Sequence, residues 1–311
     1  MSRNRRWEPC IYNRGSHTDT FLREYLSGEG RRVLLIAGAG FDPRSTRITE
    51  LFPESARNNT KAIFLREERP DPDQSLVERA IHNRDHLMGL IAQSEEREIR
   101  VFADDNAVVG GRNGALLADE VSLGMFTDVF IDVSALSIGI AFPIIKRFVE
   151  ALKANGDVAC NVHIVCCDSP TIDSAITSIP SDLAAPIHGF RGGWGMDDKS
   201  RAAILWMPQL SPGKRGVLGR IFQTLRNVQP DTVVCPILPF PSSRPRLSDE
   251  LIEEYSEELQ RDWEVDVRDL IYADEKSPLD LYRTMLNIDD ARHRVFKSVG
   301  GSQIILSPLG S

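Results

Sequence analysis

The turn Gly38-Ala39-Gly40-Phe41-Asp42-Pro43-Arg44 is the stretch of this chain best equipped for chemistry. Two residues without side chains let a backbone approach a ligand closely, the amides of a following helix attract an anion, and Arg44 offers a guanidinium for a bidentate contact. A nucleotide phosphate, or the carboxylate of an amino-acid-like cofactor, suits such a turn. The same residues also fit a ligand-free strand-to-helix connection, in which Asp42 caps the helix and Pro43 takes its first position. Acidic residues follow the other apolar runs: Glu67-Glu68, Asp104-Asp105, Asp132 with Ser134 close behind, and Asp168. Carboxylates so placed hold a Mg²⁺ ion or ribose hydroxyls, or they cap loops. The candidate ligand-binding residues are therefore Gly38, Gly40, Asp42, Arg44, Asp104, Asp132 and Ser134.

Catalytic groups are harder to assign. His163 lies within an apolar run and reads as a core residue. His82 and His86 stand one helical turn apart but lack a third ligand in sequence, so no metal site is expected. No nucleophile elbow, P-loop or H-E-x-x-H is present, and Glu275-Lys276 lacks the second acidic motif that a nuclease needs. No catalytic residue is named on this basis.

A recurring order of elements must position these residues. Val33-Leu34-Leu35-Ile36 leads into Phe41-Asp42-Pro43-Arg44, and Ala203-Ile204-Leu205-Trp206 leads into Leu210-Ser211-Pro212-Gly213-Lys214. Pro43 and Pro212 lie 169 residues apart, and the same interval carries Phe64-Leu65 onto Val233-Val234 and Pro70 onto Pro239. Phe102-Ala103-Asp104-Asp105, read as a third strand, falls on Tyr272-Ala273-Asp274-Glu275, and Val129-Phe130-Ile131-Asp132 falls on Ile304-Ile305-Leu306-Ser307. Helical periodicity marks residues 75–93 and 247–263, the latter behind Ser248 as the expected N-cap. Apolar runs alternating with such helices predict parallel strands covered on both faces.

The expected fold class is α/β, with two sequence-related Rossmann-like parallel-sheet units in tandem. Residues 1–29 read as an N-terminal extension, 30–168 as the first unit, 169–199 as a glycine-rich linker and 200–311 as the second unit. The second lacks the helix at 141–153 and the strand at 162–167 that complete the first. In open parallel sheets ligands gather at the carboxyl ends of the strands. The second turn keeps a proline and a cation but loses Gly-x-Gly, so the first unit is the expected binder.

Composition narrows the partners. With 41% hydrophobic and 26% charged residues the chain reads as globular, and no run of apolar residues is long enough to span a bilayer. The basic start, Met1 to Trp7, has no apolar segment behind it, so no secretory signal is expected. Cys10, Cys160, Cys166, Cys167 and Cys235 form no C-x-x-C pair, which points to reduced thiols, buried at Cys166 and Cys167, and to the cytoplasm. A net charge of −8 gives no global field for a polyanion, although Arg3, Arg5, Arg6 and Arg14 form a local basic patch. Nucleic acid is not the expected main ligand.

Two resemblances sharpen the expectation. Residues 32–44, with Gly38, Gly40, Asp42 and Arg44 as Gly-x-Gly-x-Asp-x-Arg, resemble the first motif of S-adenosylmethionine-dependent methyltransferases of the leucine carboxyl methyltransferase type. That resemblance implies that these four residues contact the cofactor and that Glu67 or Glu68 takes the ribose; the family's later motifs are not evident. A duplicated pair of Rossmann-like units is also similar to the CARF and SAVED sensor domains of prokaryotic antiviral systems, which implies a cyclic-oligonucleotide ligand. The segments Pro278-Leu279-Asp280-Leu281-Tyr282-Arg283 and 304–311 are similar in style to proteins of phage-defence operons.

Three readings follow. One is a nucleotide-binding sensor or accessory component of a defence system. Another is an enzyme that uses S-adenosylmethionine or acts on a nucleotide. The third is a protein-interaction module without a ligand. A nucleotide-like small molecule, and a protein partner or a second copy of the chain, are the expected partners.

Overall fold

Val33–Gly38, strand β1, is buried at all six positions, and a run with no polar alternation is what a central parallel strand covered on both faces requires. It belongs to the first of two units in the structure, a computed structural model that describes residues 10–70, 73–105, 107–154, 160–169, 172, 184–191 and 202–307. The first unit comprises residues 13–171 and 186–192; the second comprises 1–12, 172–185 and 193–311.

In the first unit helix α1 (Ser16–Leu26) precedes β1. A 3₁₀ turn (Pro43–Thr46) and two four-residue helices, α2 (Arg47–Glu50) and α3 (Glu54–Arg57), lead to β2 (Thr60–Glu68). Then come α4 (Gln74–Leu90), β3 (Gln93–Arg100), α5 (Gly110–Asp119), β4 (Asp128–Asp132), α6 (Ile138–Ala154) and β5 (Asn161–Val165). All strands pair in parallel in the order β3-β2-β1-β4-β5. This is a Rossmann-like sheet, and its strand order reverses between β1 and β4. One face buries Leu35, Ala37, Phe64 and Phe130 with Leu22 and Leu26 of α1, Phe52 and Leu87. The other buries Leu34, Ile36, Leu65 and Ile131 with Ile140, Ile144 and Phe148 of α6. Thus residues 16–26, within the stretch read from sequence as an extension, contribute to a core.

Helices α5 and α6 pack closely because glycines face the contact. A Cβ on Gly111 would lie 2.7 Å from the Gly139 carbonyl oxygen and 2.8 Å from His188 Cβ, and one on Gly114 would lie 3.2 Å from Ile144. His188 belongs to the described end of the expected linker, whose residues 170–171, 173–183 and 192–199 lie outside the described part. Beside it, Lys146 Nζ donates to the Gly189 carbonyl and sits over the Phe190 ring.

At the amino ends of β4 and β5 a polar knot is buried. Asp128 accepts hydrogen bonds from Tyr25 Oη (2.6 Å), Arg31 Nη1 (3.0 Å) and Thr127 Oγ1 (2.7 Å), and pairs with His163 Nε2 (3.0 Å). Burial alone would raise this carboxyl, but the bonds from His163, Tyr25, Thr127 and Arg31 outweigh it and hold the carboxyl far below the usual range. His163 stacks on Phe130 at 4.1 Å, so it is the partnered core residue its surroundings suggested.

The second unit runs β6 (Ala203–Pro208), α7 (Arg215–Val228), β7 (Val233–Val234), β8 (Ile237–Pro239), α8 (Leu247–Glu254), a π-helical turn (Glu258–Asp262), β9 (Ile271–Ala273), α9 (Pro278–Phe296) and β10 (Ser302–Ser307). Strand β6 lies between β10 and β7, while β8 pairs with β9. Cys235-Pro236 separates β7 from β8, because proline supplies no amide to the ladder; beyond the break Gln209 bridges Ile237 in parallel, on the β6 side. The resulting order, β10-β6-β7/β8-β9, matches β4-β1-β2-β3. Among the described residues no strand stands where β5 stands in the first unit.

Several expectations need correction. The third strand is not Phe102–Asp105 but Gln93–Arg100, a polar edge strand held to β2 by cross-strand ion pairs of Arg66 with Glu96 (2.8 Å) and Glu98, and of Arg100 with Glu68 (3.4 Å). Its counterpart in the second unit ends at Ala273. Ser248 does not cap its helix; it lies inside α8 and donates to the Pro239 carbonyl (2.8 Å). The 169-residue interval slips by one across the sheet, since Ile36 pairs with Ile63 whereas Leu205 pairs with Val233. The crossover after the first strand also differs, broken turns in one unit and the continuous α7 in the other. Matching strand order is therefore what the units share.

Gly111→Ala should destabilise the protein by about 1–3 kcal/mol, because its Cβ would meet backbone rather than a movable side chain. Asp128→Ala should cost about 3 kcal/mol, since it leaves the buried ends of Tyr25 and His163 without their acceptor. Urea denaturation of each variant measures both.

Candidate functional site

In open parallel sheets the loops on either side of such a reversal depart to opposite faces, which makes the carboxyl ends of β1 and β4 the place where a ligand crevice is expected. The β1 loop is held from within. Asp42 accepts from the Arg44 amide (2.8 Å) as the N-cap of the 3₁₀ turn, with Pro43 in its first position. Arg44 then folds back, donating through Nε (2.9 Å) and Nη2 (2.7 Å) to the same carboxylate. Burial pushes Asp42 up, but these hydrogen bonds outweigh it and hold the carboxyl below its ordinary value. From α4, Asn83 Nδ2 donates to the carbonyls of Gly40 (2.9 Å) and Asp42 (3.1 Å). The arrangement expected at this turn, a long helix offering its amides to an anion, is replaced by a short turn whose first amide is taken and whose arginine is committed to Asp42.

Gly38 serves the protein itself. A Cβ there would lie 2.5 Å from the Ala135 carbonyl oxygen and 2.8 Å from its carbon, so the loop after β4 rests directly on the end of β1. At Gly40 the nearest atom would be the same oxygen at 3.9 Å, an ordinary contact, so a side chain could be accommodated there.

Asp132 lies beneath that loop and is 1% exposed. Its Oδ1 accepts from both the amide (2.9 Å) and the hydroxyl of Ser134, and the Ser134 Oγ accepts from the Cys167 amide (2.7 Å) at the end of β5. Its Oδ2 is buried with no hydrogen-bond partner. Burial pushes this carboxyl up to about 7; the Ser134 bonds oppose the shift and the nearby Asp42 charge adds to it. The thiols of Cys166 and Cys167 are raised as well, by partial burial first and then by the carboxylate of Asp132. Cys166 is an exposed residue and Cys167 half-buried, so neither is the core thiol expected.

The remaining acidic strand ends are engaged or remote. Glu67 accepts from the Ser137 amide (2.6 Å), where α6 begins, and pairs with Arg69 (3.3 Å). Glu68 pairs with Arg100. Asp104 is fully exposed on the loop after β3 and pairs loosely with Arg100 (3.7 Å). Gly38, Gly40, Asp42, Arg44, Asp132 and Ser134 thus gather at one crevice, and Asp104 does not join them. Among the described residues no group of three or more His, Cys, Asp or Glu side chains could hold a metal ion.

Beside the crevice, the β1 loop and α4 enclose a groove of about 480 Å³, lined by Phe41, Pro43, Ser75, Glu78, Arg79, His82 and Asn83. Phe41 is 48% exposed, and Arg79 lies near enough to lower Asp42. Sequence reasoning took α4 as a covering helix and weighed His82 only with His86, as a metal pair. The missed signal was Arg79 and His82 three residues apart on its exposed face.

The matching turn of the second unit is filled by its own side chains. The Gly213 amide donates to Glu254 Oε1 (2.8 Å), Tyr255 Oη donates to the Ser211 carbonyl (2.8 Å), and Arg215 pairs with Glu258 (2.7 Å) and Glu257 (3.6 Å). A carboxylate already stands where an incoming anion would have to bind.

The chain matches no protein-family model and no curated protein. The roles of these residues therefore rest on their geometry alone.

The pH dependence of stability tests the environment of Asp132. Its folded value lies above the ordinary carboxylate value of about 3.9, so its contribution is fully present below about pH 4 and is lost as pH rises towards about 7. Asp132→Asn cannot ionise and escapes the loss. The Tm of the variant relative to the wild-type protein should rise by roughly 4 °C or more between pH 5 and pH 8, as differential scanning calorimetry would record.

Proposed function

We propose that the first unit binds a nucleotide-like small molecule beside the loop from Gly38 to Arg44. In this reading the chain acts as a nucleotide-binding sensor or accessory component of a prokaryotic antiviral defence system, non-catalytic or weakly catalytic. The groove against α4 carries the proposal. Phe41 offers an exposed aromatic face on which a base can stack, and Arg79 and His82 offer donors for a phosphate three residues further along one helix face. Two units with one strand order support the comparison with paired Rossmann-like sensors, and the place in defence rests on that comparison.

The S-adenosylmethionine reading draws on the same Gly-x-Gly-x-Asp-x-Arg but is the weaker. Of Glu67 and Glu68, either of which that resemblance assigns to the ribose, the first is bound to the Ser137 amide and Arg69 and the second pairs with Arg100, while Asp42 and Arg44 satisfy each other. The reading as a ligand-free interaction module fits the second unit's filled turn better than the first unit's groove.

Mass spectrometry of the small molecules released on denaturing the purified protein identifies a co-purified ligand, and calorimetric titration with ATP as the probe tests the groove. Arg79→Ala removes a charge-assisted hydrogen bond of about 1.5–3 kcal/mol and should weaken ATP roughly 10- to 150-fold with the fold intact. Lys214→Ala, at the filled turn of the second unit, should leave the affinity unchanged. Equal affinities for wild-type and Arg79→Ala proteins would show that the groove is not the site.

A further inference from the structure

We propose that Asp132 is a proton-operated positioning residue of this crevice: as the neutral acid it ties the carboxyl ends of β4 and β5 together and admits an anionic ligand, and as the carboxylate it opposes that ligand. The proposal rests on the nucleotide reading of the site. Its basis is the unequal treatment of the two carboxyl oxygens. Oδ1 takes both donors of Ser134, and the Ser134 hydroxyl, having given its proton to Oδ1, accepts the Cys167 amide. One short chain of hydrogen bonds thus joins two strand ends. Oδ2 has no partner, so a charge placed on it would be buried without compensation, whereas a proton placed on it costs much less.

The surrounding groups sharpen the effect. From the β1 loop come Asp42 and Arg44, already paired with each other; from α2 comes Arg47, close enough to lower the Cys167 thiol; from β2 comes Glu67, held by Ser137. From the end of β5 come Cys166, Cys167 and Asp168, the last acting on both thiols. No described cation forms an ion pair with Asp132. Ionisation therefore adds a second carboxylate charge close enough to Asp42 for the two to repel. The raised value near 7 puts this change within the neutral range.

Calorimetric titration of the full chain with ATP between pH 6 and pH 8.5 tests the proposal. Wild-type affinity should fall about tenfold more over this range than that of Asp132→Asn, the size expected for one added charge at short range. The asparagine keeps an acceptor for Ser134 and cannot ionise, so its affinity, whatever its value at pH 6, should lack the part of the pH dependence that Asp132 causes. Any slope it keeps comes from groups that both proteins share. Without ligand, the ¹⁵N NMR signal of the Cys167 amide should shift with a midpoint near neutral pH in the wild-type protein and stay fixed in the variant. Parallel affinity profiles, or a Cys167 signal without a neutral midpoint, would overturn the proposal. If ATP binds neither protein at any pH, the nucleotide reading fails along with the ligand half of this proposal, while the Cys167 titration still decides the proton switch.

Discussion

Gly38 and Ala135 occupy a space that has no room for a side chain between them, and the crevice takes its form from that contact. A Cβ on residue 38 would press into the Ala135 carbonyl, which can move only with its neighbours. Those neighbours are committed. Ser134 holds Asp132 and the Cys167 amide, and the Ser137 amide is held by Glu67 from β2. One bare Cα therefore sets the height of the β4 loop over β1, and four strand ends are fixed around it. A Gly-x-Gly that reads as a device for approaching a ligand is, at its first glycine, a device for bringing two loops together.

What was legible in the sequence is what depends on neighbours along the chain. Asp42 as cap and Pro43 behind it could be read because a cap is a contact of two or three residues, and Asp132 with Ser134 because they end an apolar run. Strand β3 could not be read that way. Q-S-E-E-R-E-I-R has no apolar period, and it becomes a strand because its charges meet Arg66 and Glu68 across the ladder. Arg79 and His82 belong to the site through the position of α4 against the β1 loop, which no local pattern encodes. The alternation of apolar runs and helices made parallel sheets legible in both units, and the one-residue slip in pairing was not.

The two units show how little a strand order determines about chemistry. Both send a loop from the carboxyl end of the first strand through a proline. In one the loop closes on Asp42 and Arg44 and borders the groove at Phe41 and Pro43; in the other the Gly213 amide is taken by Glu254. Supplying that carboxylate internally satisfies the backbone and makes an external anion redundant. A sheet can thus retain its topology while one side chain closes the place where such sheets bind.

The ion-pair ladder between β2 and β3 bears on more than the pairing of those two strands. An outermost strand presents a row of backbone donors and acceptors that another chain could extend, the usual route by which sheets grow from one molecule into the next. Here that row is carried by Glu95, Glu96, Glu98, Arg97 and Arg100, so a second copy laid alongside in the same direction and register would set like charges side by side. The arrangement that makes β3 hard to recognise as a strand also makes it a poor template for one. Because exposed charges are screened over about 10 Å at 0.1 M salt, this protection weakens as ionic strength rises, and the sheet's outer boundary is best guarded in dilute salt.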